Sequence, residues 1–568
     1  MSAPHIQQRP QFTHPEAFLG VPQVMANILA RRSVSSIADL ELKLKRLLQP
    51  TLKGLDEAVA LIDHAIDQHE KIVIVGDYDA DGATSTALMI LALRALGADV
   101  DYVVPDRFKY GYGLTAKISD LVQSLYQPQL LITVDNGISS HEGVQQAQHY
   151  GMKVVITDHH LTTKAAPTAE AVVNPNQLGC PFESKALAGV GVAFYVLAYL
   201  MSYRKKQNKS VVAMTQYLDL VALGTYADVA ALDHNNRILI QAGVSLIQKR
   251  QCRPGILALM DVAGREPASM QASDLGFILG PRLNAAGRMD SMQVGIECLL
   301  AEENQVAYSY AMQLQAFNVA RRRVETEIKE DALNYLNQIE IDQANLPAAL
   351  VLYEPHWHQG VIGIVAGRLK EQFHRPSIVF APDEDGIHIK GSARSVEGIH
   401  VRDLIENVAE QYPHLVRFFG GHAAAAGLSL VKENFAEFKR VFEEKVAALD
   451  PTLLQAVIWT DGALPASDIH LNTVNMIADY GPWGQRFPRP VFDDVFLIAQ
   501  VRWLKDIHLK LTLQLPTGQT VDAIAFNAKD RFEFAEQKPK VHLVYELDKN
   551  EFNGRIAIQL KVIYLKSV

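Results

Sequence analysis

Residues 73–85 read VIVGDYDADGATS. Three carboxylates, Asp77, Asp79 and Asp81, stand two residues apart at the end of an apolar run, just before Gly82. Like charges this close repel and raise one another's pKa, so a chain that keeps them together needs a positive charge among them. Two later apolar runs end in the same kind of residue: Asp135 in VDNG, and Asp158, His159 and His160 in TDHH. A further carboxylate, Asp228 in GTYAD, can reach the same place from a helical segment. Carboxylate oxygens and imidazoles without a thiolate suit Mn2+ or Mg2+ better than structural zinc. Four or five acids with one or two histidines are enough for two ions. Two ions about 4 Å apart stabilise the attacking and leaving oxygens in displacement at phosphorus. A lone Asp after a strand is ordinarily a helix cap or a turn residue. That bland reading fails on the combination, because three strand ends carry acids and two of them carry several candidate ligands.

The elements that must position these groups follow from periodicity. Short apolar runs at 71–77, 98–105, 129–137, 152–160 and 169–175 alternate with helical segments, among them GATSTALMILALRALG. Such alternation predicts βαβ units and a parallel, doubly wound sheet covered on both faces. In such sheets ligands bind outside the carboxyl ends of the strands. The first 60 or so residues read as helical. From about 186 to 300 the chain reads as mainly helical, and 302–340, free of Gly and Pro, reads as one long amphipathic helix with Leu314, Phe317, Val324, Ile328 and Tyr335 on its apolar stripe. A second α/β pattern follows, with strands at 348–354 and 375–395 and a helix at 360–373. The last section, including HLKLTLQLPTGQTVDAIAF and GRIAIQLKVIYL, alternates apolar and polar residues between turns and predicts a small all-β barrel. The expected division is 1–60, a helical segment; 61–300, the domain carrying the acids; 301–342, the connecting helix; 343–448, the second α/β domain; and 449–568, the barrel domain.

Bulk properties narrow the class. The chain has 568 residues, 48% apolar and 21% charged, with a formal net charge of −9, which fits a globular protein of several domains. That charge argues against wholesale coating of a polyanion and leaves room for a local basic channel. Cys180, Cys252 and Cys298 are far apart in sequence and form no CxxC, which fits a reducing compartment. The first residues, MSAPHIQQRPQFTH, hold no apolar signal core. The longest apolar stretch, Ala186 to Met201, is 16 residues, short of the roughly 20 needed to span a bilayer. A cytoplasmic protein with no membrane partner is expected.

GDYDADG, VDNG, TDHH and GTYAD, in this order, resemble the four motifs of the DHH phosphoesterase superfamily. Later segments narrow the resemblance: LGPRLNAAGRM (279–289), WHQGVIGIVAGRL (357–369), GSARS (391–395) and FGGHAAAAG (419–427) resemble the RecJ family of bacterial single-strand-specific 5′→3′ DNA exonucleases. The resemblance covers nearly the whole chain and implies a DHH domain, a DHHA1 domain and a C-terminal OB-fold. It implies two ions, Mn2+ or Mg2+. Asp79 and Asp81 would hold one each, Asp135 would bridge them, His159 and Asp228 would complete the second site, and Asp77 would support the first. Some superfamily members place a histidine four residues before the Asp79 position; here that residue is Val75, and Asp77 or water would substitute. His160 would face the scissile phosphate, and Asp158 would orient a histidine.

His422 would meet the phosphate near the ions, with Gly420 and Gly421 letting backbone approach closely; without the resemblance, GGHAAAAG reads as a tight turn into a helix. Ser392 and Arg394, with Arg282, would form the pocket for a 5′-terminal phosphate, and Arg288 would touch the strand. In the last module Arg502, Trp503, Lys505 and Lys510 interleave charge with an aromatic ring, a pattern that suits single-strand contact, or else an amphipathic strand with snorkelling lysines. Lys249, Arg250, Arg253 and Arg321 to Arg323 are further candidates for a channel wall. The implied activity is hydrolysis of single-stranded DNA to 5′-mononucleotides in repair and recombination, with the bacterial single-stranded DNA-binding protein and a helicase as partners. The alternatives are a DHH-family phosphatase or short-oligonucleotide nuclease, and a catalytically silent replication scaffold.

Overall fold

The computed structural model describes all residues except 1–3, 33, 106–109, 112, 163–164, 339–345, 530–531, 533, 535–537 and 553–554. They form two compact units: a larger one of Gln8–Ala316 with Thr460–Val568, and a smaller one of Phe317–Trp459 with the N-terminal residues to Gln7.

The N-terminal segment departs from the helical expectation. After a short strand, β1 (His5–Gln8), it holds one two-turn helix, Gln23–Leu29, and several single turns before the helix Leu55–Asp67. Prolines at 10, 15, 22 and 50 deny the backbone donors that longer helices require.

The sheet of the larger unit is parallel, as its near-continuous apolar runs predict. Strands β2 (Ile72–Gly76), β3 (Val100–Val103), β4 (Leu130–Val134), β5 (Lys153–Thr157) and β6 (Ala171–Val173) lie in the order β3-β2-β4-β5-β6. One face packs Val73, Val75, Leu131, Val154 and Ile156 against Ile118, Val122, Val144 and Ala147 of two covering helices. Each valine, leucine or isoleucine among them contributes roughly 1.5–3 kcal/mol by leaving water. Three helices, Ala80–Ala95, Gly189–Lys206 and Leu218–Ala227, are buried along almost their whole length elsewhere in this unit. The apolar stretch at 186–201 is thus a core helix, and no helix among the described residues is long and apolar enough to cross a membrane. The decisive consequence of the strand order is adjacency: β2, β4 and β5 are neighbours, and their carboxyl ends deliver Asp77, Asp135 and Asp158 side by side.

The long helix runs Asn304–Gln338. Its expected end at Glu340, the boundary at 342/343 and the side chain of Tyr335 lie outside the described residues. In the smaller unit β7 (Leu350–Tyr353), β8 (Ser377–Pro382), β9 (His388–Arg394), β10 (Phe418–Gly421) and β11 (Ala425–Val431) form a mixed sheet in the order β10-β11-β9-β8-β7, over a core that includes Phe380, Phe438 and Phe442. The alanine run is not helical. It turns between β10 and β11, where His422 N–H donates to the Ala425 carbonyl, and Ala425 pairs with Arg394. Ladder pairing here overrides the high helix propensity of alanine. A last short strand, β12 (Val457–Thr460), pairs with β1.

The C-terminal module is a closed barrel of β13 (Phe492–Leu504), β14 (His508–Gln514), β15 (Thr520–Ala525), β16 (Lys540–Phe552) and β17 (Arg555–Ser567), in the order β13-β14-β15-β17-β16. Alternation places Leu509, Leu511 and Leu513 inside, all nearly fully buried, and closure leaves no exposed edge.

Candidate metal centre

The loop after β2 is built around its carboxylates. Asp79 caps the helix Ala80–Ala95, accepting from Asp81 N–H at 2.9 Å and Gly82 N–H at 3.0 Å. Gly82 is required there, because a Cβ would lie 2.5 Å from the Asp77 carbonyl oxygen. Asp81 points the other way, into the start of the helix Gly189–Lys206, where Gly189 and Val190 N–H donate to its two oxygens at 2.6 and 2.8 Å. A helix N-terminus is a favourable place for a carboxylate. Asp135 follows β4 with φ of +61°, a conformation costly for a residue with a side chain and common at functional sites.

Around these, His159 Nε2 lies 3.1 Å from Asp135 Oδ1, 3.8 Å from Asp81 Oδ2 and 3.9 Å from Asp228 Oδ2. Asp135 Oδ1 is buried and makes no hydrogen bond among the described residues. Ligand atoms gather within 4.8 Å of one another in three overlapping groups: Asp77 with Asp79 and Asp135; Asp81 with His159 and Asp228; and Asp135 with His159 and His160. The donor set is oxygen and imidazole nitrogen only, which fits hard or borderline divalent cations.

The electrostatics match a cation site. Burial first, and then Asp79, push the Asp81 carboxyl up to about 7, despite its two backbone donors. Burial and then the Asp81 and Asp79 charges hold Asp135 and Asp228 well above the ordinary carboxylate range. Asp158 behaves oppositely. It is buried, yet it accepts from His159 N–H at 2.7 Å, His160 N–H at 3.1 Å and Ile138 N–H at 2.8 Å, and it pairs with His160 Nδ1 at 2.8 Å. These contacts outweigh burial and lower its pKa. For His160, burial opposes the charged ring, but Asp158 wins and lifts it to about 9.

Supporting residues that are not candidate ligands complete the frame. Asn284 accepts from Ala80 N–H at 2.7 Å, tying LGPRLNAAGRM to the aspartate loop. On that same helix a Cβ at Gly287 would sit 2.0 Å from the Tyr78 carbonyl oxygen. Asn174 and Asn176 donate to the His160 and His159 carbonyls at 3.0 and 2.5 Å, and Asn136 joins β2 to β4 through the Val75 and Val134 carbonyls. Asn284, Gly287 and Asn136 lie within the matched motifs and Asn174 and Asn176 outside them, and none is of a type that signals a ligand.

Arg282 is buried and donates to the Ile278 carbonyl at 2.6 Å; Arg288 is half-buried on the same helix. In the smaller unit Ser392 and Arg394 are adjacent on one face of β9, with Arg394 Nη1 3.1 Å from Ser392 Oγ. A Cβ at Gly363, in the first turn of the helix Ile362–Phe373, would lie 2.8 Å from Ser392 Oγ and 3.0 Å from Arg394 Nη2. His422 is exposed at the tip of the neighbouring hairpin. In the barrel Arg502 pairs across the ladder with Lys510, and Trp503 with Leu509. The pleat therefore puts Trp503 on the face opposite Arg502, so charge and ring are not interleaved on one surface. Lys510 is held by Asp522 at 2.7 Å, while Lys505 is exposed in the turn. Arg250 pairs with Glu266, Arg253 with the buried Asp219, Arg321 with Glu325 and Arg323 with Glu327.

Comparison with known proteins agrees with this layout. Residues 71–225 match the model of the DHH family N-terminal domain, 347–448 the DHHA1 domain and 460–564 the RecJ OB domain. The chain is 46% identical, over 556 residues and 96% of each chain, to the single-stranded-DNA-specific exonuclease RecJ of Dickeya dadantii. The chain belongs to the RecJ family. Its fold matches the crystal structure of RecJ from Thermus thermophilus in complex with Mn2+, with a TM-score of 0.83 at 29% identity, covering 99% of this chain and 79% of that one. The Mg2+ complex of the same RecJ matches with a TM-score of 0.77 at 28% identity, covering 99% and 78%. The family's cofactor, Mn2+ or Mg2+, is the kind of ion the donor set here fits.

Proposed function

We infer that this chain is a metal-dependent exonuclease that degrades single-stranded DNA in the 5′→3′ direction to 5′-mononucleotides. The observation that carries the reading is the convergence of buried carboxylates and imidazole at three adjacent strand ends, with Asp135 shared between two of the ligand groups. Bound Mn2+ or Mg2+ would activate a water and neutralise charge developing on the phosphate. Asp77, Asp79 and Asp135 would hold one ion, and Asp81, His159 and Asp228 the other, with Asp135 reaching both. Asp158 pairs with the His160 ring and favours its charged form, and that ring would meet a non-bridging oxygen of the scissile phosphate, where negative charge grows.

Ser392, Arg394 and the first turn of the helix Ile362–Phe373 combine a hydroxyl, a guanidinium and backbone donors, the elements of a phosphate cradle, and we assign them to the 5′-terminal phosphate. Arg282 and Arg288 would support the strand, and His422 would approach the reacting phosphate. The barrel would add single-strand contacts, with Arg502 and Lys505 the exposed charges and Trp503 and Lys510 in lesser roles. A domain division at 60, 300, 342 and 448 goes with this reading. In the cell the enzyme would work in the cytoplasm, in repair and recombination, on ends opened by a helicase and presented with a single-stranded DNA-binding protein.

Two substrates test the reading. Given separately, a long single strand is expected to be digested and a dinucleotide spared, and Asp79→Ala with Asp81→Ala is expected to abolish Mn2+-dependent digestion. Turnover of the dinucleotide alone would return the phosphatase or short-oligonucleotide alternative. Undiminished nuclease activity in the double variant would overturn the site assignment.

A further inference from the structure

Asp228 stands apart from the other candidate ligands. It does not follow a strand; it follows the last turn of the helix Leu218–Ala227, and the next residue is Val229. Val229 has φ of +58° and is 64% exposed. Helices commonly place glycine in this left-handed position, and a β-branched side chain there is strained. Strain of that kind persists only where the surroundings hold it.

Gly276 and Gly280 pack closely on Tyr226 and Ala227 from one helical segment, and the rest of the hold comes from the segment that leads into the barrel. Gly484 to Phe487 forms a tight turn, closed by N–H···O bonds at 2.9 and 3.1 Å in both directions between its ends. The turn grips the Asp228 loop on both sides. Tyr226 Oη donates to the Trp483 carbonyl at 2.8 Å, and Leu232 N–H donates to the Gln485 carbonyl at 2.8 Å. The fit is close, since a Cβ at Gly484 would lie 2.8 Å from Leu232 Cδ1 and 3.5 Å from Tyr226 Cε2. The turn is itself anchored: Trp483 and Phe487 stack at 4.8 Å, and each ring carries a guanidinium, Arg32 at 5.2 Å and Arg237 at 3.9 Å. Arg32 is fully buried and forms an ion pair with Asp461 at 2.7 Å.

We propose that the Trp483–Phe487 turn is a positioning element for Asp228, so that the barrel's leading segment completes the second cation site from outside the α/β domain. Tyr226, Trp483 and Gly484 act through Asp228 and touch neither ion nor substrate. The inference rests on the metal reading of Asp228, and the test separates the two.

Mn2+ binding to the full-length, metal-stripped protein is measured by titration calorimetry for the parent and for Tyr226→Phe, Gly484→Val and Asp228→Asn. Asp228→Asn is expected to lose one ion; two ions bound with parental affinity would overturn the metal reading itself. Tyr226→Phe keeps the ring and removes one hydrogen bond, so its weaker Mn2+ site is expected to loosen by about fivefold, the factor that roughly 1 kcal/mol corresponds to. Gly484→Val is expected to loosen the same site. Nuclease rates in Tyr226→Phe should return to the parental maximum at excess Mn2+, because a misplaced ligand lowers affinity, whereas a loss of folded protein would lower the maximum. Parental Mn2+ affinity in both Tyr226→Phe and Gly484→Val, or a lowered maximum that Mn2+ does not restore, would overturn the positioning role.

Discussion

Val75 and Asp77 are two residues apart and do opposite work. Val75 is buried in the sheet core beside Val73, Leu131 and Ile156, so the position where some superfamily members carry a histidine is apolar packing here. Asp77 falls just past the strand end and joins Asp79 and Asp135. Burial of the aspartates, and then their mutual repulsion, has a measurable consequence. A carboxyl whose pKa is raised by folding stabilises the fold below its unfolded value, near 3.8, and that stability is lost as pH rises through the folded value. Asp81, at about 7, and Asp135 and Asp228, also raised, all act in this sense. His160, raised from 6.5 to about 9, has the same sign over a higher window. Metal-free protein is therefore expected to melt a few degrees lower at about pH 8.5 than at about pH 6, and excess Mn2+ to remove most of the difference. Thermal melts in chelator that coincide at the two pH values would contradict the assignment. The acids and histidines were legible at this scale because metal ligands must be of a few types. Asn284 and Tyr226 lie inside matched motifs, yet their roles were not legible, because asparagine and tyrosine in a helix carry no such signature.

At the scale of elements, the site depends on where one helix begins. The helix Gly189–Lys206 offers two backbone donors to Asp81, and its first residue lies against Asp135. A Cβ at Gly189 would come within 2.6 Å of Asp135 Cβ and 2.7 Å of Oδ1. Gly189→Ala is expected to cost about 1–3 kcal/mol of stability through overpacking, and to weaken Mn2+ binding by about tenfold or more as the helix start moves off Asp81. Gly367→Ala, in a helix of the smaller unit where a Cβ meets nothing within 4 Å, serves as the neutral comparison. Equal Mn2+ affinity in Gly189→Ala and the parent would show that the helix start does not shape the site. Strand alternation with helices, and the switch to period-two patterning near residue 492, made the parallel sheet and the barrel readable from sequence. The alanine-rich hairpin was not readable, since its residues favour helix and it is ladder pairing with β9 and β10 that holds β11 as strand.

For the whole molecule, the larger unit holds the candidate ligands, and the smaller unit holds Ser392, Arg394 and His422. If Arg394 reads the terminal phosphate, Arg394→Ala should raise KM for 5′-phosphorylated strands by about tenfold or more, in line with loss of a charge-assisted hydrogen bond. Strands ending in a 5′-hydroxyl should be affected far less. An unchanged preference between the two ends would remove Arg394 from that role. The order of modules along the chain was legible because each has its own periodicity. The clasp by which Trp483 and Gln485 hold the Asp228 loop was not, because it joins residues about 250 positions apart that no local pattern links.

We propose directional hydrolysis of single strands at the carboxylate cluster. It is tested most directly by digesting one single strand, labelled at the 5′ end in one sample and the 3′ end in another, with Mn2+ or with chelator. Immediate release of the 5′ label as a mononucleotide is expected, with gradual shortening of the 3′-labelled strand, an intact duplex control and no product in chelator. Release from the 3′ end first, internal cleavage, or undiminished digestion in chelator would contradict it.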